Sequence, residues 1–164
     1  MIPELHRPIA VDRIGASGLQ VSVEATQAEC AALAIRMKLP KVSALTCQFR
    51  LERDTSDALL AHGHLVAHVV QTCIISLEDF PDVVDDRFTV RFVEAGHETD
   101  DDDPDSLDEI VFVNGTIDLG EAAAEQLALA LDPYPRAPGA ELPDISDEQG
   151  ANPFVALERL RRRH

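Results

Sequence analysis

At 164 residues the chain suits one domain, large enough to bury a core without disulfides. Hydrophobic residues make up 45% of it, which excludes an intrinsically disordered class. The formal charge is −16, from 30 acids against 14 bases, and this argues against a broad nucleic-acid-binding face, because phosphate recognition rests on a basic surface.

In chain order, Leu19, Val21 and Val23 alternate with polar residues and predict a short strand over 19–25. Thr26 and Glu29 form a capping box, each able to satisfy a backbone donor at a helix start. The helix is expected to run to about Leu39, where Pro40 stops it, with Cys30, Leu33, Ala34 and Met37 as its apolar stripe. Residues 42–53 predict a strand with Leu45, Cys47, Phe49 and Leu51 on one parity. A turn over 54–57 returns the chain antiparallel along 58–75, with Gly63 expected to mark a bulge or bend. Phe88, Val90 and Phe92 define a further strand against Arg87, Thr89 and Arg91. An acidic loop over 98–109 precedes the apolar run 110–113.

A second helix follows, with Asp118 as its cap, Glu121 and Glu125 where the helix dipole favours negative charge, and Pro133 and Pro135 ending it. The expected fold class is α+β, an antiparallel β-sheet, open or barrel-like, with helices packed on it. The expected domains are an α+β unit over 1–136, a Pro/Gly/acid-rich linker over 137–151, and a basic C-terminal helix or tail over 152–164.

Several constellations invite chemistry and fall short of it. His62, His64 and His68 share one strand parity, but His68 lies four residues and roughly 13 Å beyond His64, so a wet sheet face is expected rather than a metal site. Residues 100–105 are acid-rich, yet an EF-hand counted from Asp101 would need Gly and Glu where Ser106 and Phe112 stand. Cys73 lacks a base on its own side of the strand, since His68 is five residues away, and is expected to be a buried packing thiol. Capping accounts for Asp118, Glu121 and Glu125 without a catalytic cleft. No nucleophile elbow, phosphate loop or dinucleotide fingerprint occurs. The expectation is a protein that is not an enzyme, with no metal and no cofactor.

Candidate partner contacts are of two kinds. Leu129 lies about 200° round the second helix from Leu127, away from the packing face. It stands close to Tyr134, the only tyrosine, held between two prolines and followed by Arg136. The segment is expected either to present the ring to a partner or to fold it back on the sheet as a plug. The dense basic patch is Arg159, Arg161, Arg162 and Arg163, read as cations at a helix end or as an arm for RNA phosphate.

Residues 115–139, GTIDLGEAAAEQLALALDPYPRAPG, together with GHLVAHVVQTCIISLEDF over 63–80, VEATQAE over 23–29 and ELHRP over 4–8, carry a resemblance. In order and spacing, from about residue 3 to 140, they resemble the YceD-like family, the large ribosomal RNA subunit accumulation proteins of bacteria, in its alphaproteobacterial form. Some relatives carry a four-thiolate zinc arrangement at Cys73 and after the proline motif. Here Ser76 and residues 136–140 supply no cysteine, so that site is excluded.

The resemblance implies a factor supporting accumulation of large-subunit ribosomal RNA and ribosome assembly. Its partners would be ribosomal RNA or a basic ribosomal protein or assembly factor, with no membrane and no small-molecule substrate. The alternative is an acidic interaction module or chaperone for a basic partner, working through the 98–109 loop without touching RNA. The opening MIPELH lacks the basic and apolar regions of a secretion signal, and no window approaches the roughly 20 apolar residues of a membrane helix, so a cytoplasmic location with reduced thiols is expected.

Overall fold

The structure, a computed structural model, describes residues 3–55, 58–99 and 103–142. Seven strands and two α-helices are present among them: β1 (Pro8–Ala10), β2 (Leu19–Glu24), α1 (Gln27–Met37), β3 (Lys41–Arg53), β4 (Leu59–Thr72), β5 (Asp79–Glu94), β6 (Asp108–Phe112), β7 (Thr116–Asp118) and α2 (Leu119–Ala130). The basic tail and most of the expected linker lie outside the described residues.

The fold is α+β. Strands β2-β3-β4-β5-β6 form one sheet in chain order, and β1 pairs with β7 in a second, two-stranded antiparallel sheet. The larger sheet is open, with β2 and β6 at its margins, so the barrel alternative is not realised. Nor is it wholly antiparallel, because β6 runs parallel to β5. Residues 95–107 make that possible: a parallel neighbour needs a crossover of about a dozen residues, which a hairpin turn does not provide.

One face of the larger sheet is dry. Leu45, Cys47, Phe49 and Leu51 of β3 and Ala61, Leu65, Ala67 and Val69 of β4 are buried together with Cys30 and Leu33 of α1 and Leu119, Ala123 and Leu127 of α2. The opposite parity of β3 and β4 is half-buried or exposed, so the sheet is covered on one side only.

Local differences from the sequence expectations have physical causes. The Thr26–Glu29 capping box forms in both directions. Helix α1 ends at Met37, before Leu39, because Lys38 adopts a left-handed φ of 56° and the Leu39 N–H closes back onto the Ala34 carbonyl.

Gly63 makes no bulge, since β4 keeps continuous register with β3 and β5 across it. The glycine is required by its partner Phe88, whose ring would lie 2.2 Å from an added Cβ and which meets Phe49 edge-on at 5.8 Å. The register irregularity falls instead between Val42 and Ala44.

Strand β5 is far longer than its Phe-Val-Phe centre announced. Pro81 and the acids around it mask the pattern, and Pro81 is tolerated because β6 pairs only with residues 90–94.

Candidate functional site

Asp118 and Gly120 build the junction at the start of α2. The Asp118 carboxylate accepts from the backbone N–H groups of Gly120 and Glu121, as a cap should, and also from Arg7 at 2.8 Å and from the His6 ring. Gly120 does more than ease the helix entry. An added Cβ would lie 2.6 Å from the Leu5 carbonyl oxygen and 2.9 Å from the Arg7 nitrogen.

The Arg7 guanidinium grips both carboxylate oxygens of Glu29, which caps α1, and this hydrogen-bonded pair holds the Glu29 carboxyl down to about 2. Arg36 of α1 bridges Glu121 and Glu4. Of the three clustered acids of α2, Asp118 and Glu121 are thus structural partners. The 4–8, 23–29 and 115–139 blocks meet in this one junction.

At the other end of α2 the chain turns outward. Leu129 is 71% exposed and Tyr134 70%, and Arg136 is exposed beside them. The backbone below is fixed. The Tyr134 N–H donates to Asp132 Oδ1, and the Ile74 N–H donates to the Pro135 carbonyl at 2.9 Å. Tyr134 is therefore presented on a tethered segment and is not a plug on the sheet.

The 73–78 turn to which this segment is bonded adds two apolar side chains, Ile74 at 45% and Leu77 at 76% exposure. The sequence reading missed them. The left-handed φ of 61° at Leu77 is the feature that turns a leucine outward there.

Cys73 closes the turn. It is fully buried, as expected, and stands apart from the main apolar cluster. Backbone donation from Ala137, then the Ser76 hydroxyl and backbone N–H groups of the turn, lower the thiol to about 6. Cys47, buried in the core, is pushed up to about 12 by desolvation. The acidic loop is described at 98–99 and 103–109. There Glu109 is turned inward, held by Thr99 and Arg91, which lower its carboxyl.

The uncovered sheet face carries a second surface. Two adjacent cross-strand rows point outward: Gln20, Arg50, His62 and Thr89 in one, Ser22, Gln48, His64 and Arg87 in the next. Between them they border a groove of about 840 Å³, and none of its lining residues is acidic.

His62 bonds Thr89 and Glu52, His64 bonds Asp85, and His68 stands exposed further along the strand. The two histidines are thus engaged by carboxylates at the groove's margin. Arg50 and Arg87 are exposed and make no hydrogen bond or ion pair among the described residues, although the charge of Arg50 does act on Glu52. The sequence showed these arginines only as the polar parity of two strands. Their alignment needed the register.

The α+β sheet thus carries its two helices on the dry face and leaves an exposed apolar end and an open polar face. The chain belongs to the YceD family, described as the large ribosomal RNA subunit accumulation protein YceD, which it matches over residues 61–159. The match starts later and ends later than the 3–140 span of the resemblance, and it reaches Arg159. No curated protein and no solved structure matches the chain. The family's name ties the chain to accumulation of large-subunit ribosomal RNA. No helix among the described residues is long and apolar enough to cross a membrane.

Proposed function

We propose that the chain is a non-enzymatic, cytoplasmic factor that supports accumulation of large-subunit ribosomal RNA by holding a basic ribosomal protein or assembly factor. The contact surface is the end of the molecule bearing Leu129, Tyr134, Ile74 and Leu77, with Arg136 at its rim. The observation that carries this reading is the 70% exposure of Tyr134 on a backbone tied to the 73–78 turn.

Exposed aromatic and aliphatic side chains on a rigid support are what a protein partner uses as anchors, because little conformational entropy is lost on binding. The net charge of −16 then steers a basic partner and disfavours coating of RNA. Capping and ion pairing account for Asp118 and Glu121, and the Cys73 thiol is closed off by its own turn, which supports a role without catalysis.

A pull-down from native cells, with and without ribonuclease, tests the reading. One basic protein is expected to persist after ribonuclease and to be lost with the Leu129→Ala/Tyr134→Ala pair. Recovery of ribosomal components only in the untreated sample would reject it.

A further inference from the structure

The outward rows of β2 to β5 are an anomaly in so acidic a chain. Four strands cross the groove, three gaps of about 4.8 Å each, giving a polar strip about 14 Å wide. Arg50 and Arg87 project from it exposed, with no hydrogen bond or ion pair among the described residues, and the amides of Gln20 and Gln48 and the hydroxyls of Ser22 and Thr89 line the same floor. Their carboxylate neighbours Glu52 and Asp85 are turned onto His62 and His64 at the margin.

The floor is rigid. Gly63 lies between the two rows in continuous register, with Phe88 packed against it from the dry side. A surface with two exposed guanidinium groups, several neutral donors and no lining acid complements a polyanion that also offers hydroxyls.

We propose that this groove binds a single-stranded RNA segment, with Arg50 and Arg87 on phosphodiester oxygens and the glutamines and hydroxyls on sugar and base edges. This is a second surface, separate from the Tyr134 end; it rests on the ribosomal reading only for the choice of RNA as the polyanion. No Phe, Tyr or Trp points outward in these rows, and the two imidazoles, His62 and His64, are held by Glu52 and Asp85, so the groove is not a stacking platform and recognition is tolerant of sequence. Two phosphate contacts on a single strand give a shallow salt dependence, a slope of about −1.4 in log affinity against log salt.

The test is anisotropy of a short, labelled, mixed-sequence single-stranded RNA with the full chain. Arg50→Ala/Arg87→Ala is expected to weaken binding roughly tenfold or more and to flatten the salt slope, with an unchanged thermal midpoint because both side chains are exposed. Leu129→Ala/Tyr134→Ala is expected to leave RNA binding intact, so failure of the protein-partner reading and failure of this one are separable. Three results would overturn the proposal. These are equal affinity in the arginine pair, full displacement by inorganic phosphate at matched phosphate concentration, and loss of a basic protein partner rather than of RNA in the same variant.

Discussion

Asp118 Oδ1 accepts the backbone N–H of Arg7 at 2.8 Å across 111 positions of the chain, and the same oxygen caps α2 through Gly120 and Glu121. One carboxylate thereby fastens the N-terminal segment to the helix that leads to the exposed Tyr134 end. Asp118→Ala removes the cap and leaves the Arg7 N–H without its partner. A loss of about 2–3 kcal/mol is expected in urea unfolding. A loss below half a kcal/mol would show that the junction is not held this way.

Gly120 offers a sharper test, because its sign is opposite to helix propensity. In an ordinary helix interior Gly→Ala stabilises by roughly 0.5–1 kcal/mol. Here the new methyl meets the Leu5 and Arg7 backbone, which cannot yield as a side-chain tip can. Gly120→Ala is expected to destabilise by about 1–3 kcal/mol, read as a lower urea midpoint.

The Arg7–Glu29 pair sets an acid limit. Glu29 has an ordinary value of 4.5 and is held at about 2 in the folded chain, first by the Arg7 hydrogen bonds. A lowered carboxyl contributes stability that is complete above about 4.5 and is lost as pH falls toward 2. Glu29→Gln should be less stable at neutral pH and show a shallower fall of stability across that window. An unchanged acid profile would contradict the assignment.

Cys73 titrates in a different window. Donation from Ala137 and Ser76 brings the thiol from 9 to about 6, so its contribution is complete above about 9 and is lost as pH falls toward 6. Stability should rise over that range in the parent and rise less in Cys73→Ala. A parallel rise in the variant would count against the thiolate-holding turn. Alkylation after unfolding should label all three cysteines, whereas Cys47 should resist in the folded state.

Local chemistry was legible in the sequence, and long-range placement was not. The Thr26–Glu29 box, the Asp118 cap and the alternation of β3 each depend on neighbours a few residues apart, and each appears in the structure. Gly63 carries the local signal of a bulge, yet what fixes it and Gly120 is Phe88 and Leu5, distant in sequence. The parallel β6 and the brief β1–β7 pairing carry no periodic signal of their own.

At the candidate contacts, Leu129 was legible from helical angle alone, and it is exposed. Leu77 and the Arg50–Arg87 groove depend on a left-handed turn and on register, neither of which composition encodes. The tail residues Arg159, Arg161, Arg162 and Arg163 lie outside the described residues.

In the proposed function this chain sustains large-subunit ribosomal RNA through the Tyr134 end. The direct measurement is the ratio of large- to small-subunit ribosomal RNA in cells lacking the protein, restored with either the parent chain or the Leu129→Ala/Tyr134→Ala/Arg136→Ala variant. A lowered ratio that the parent restores and the equally abundant, folded variant does not is the predicted result. Full restoration by the variant, or an unaltered ratio without the protein, would contradict the account.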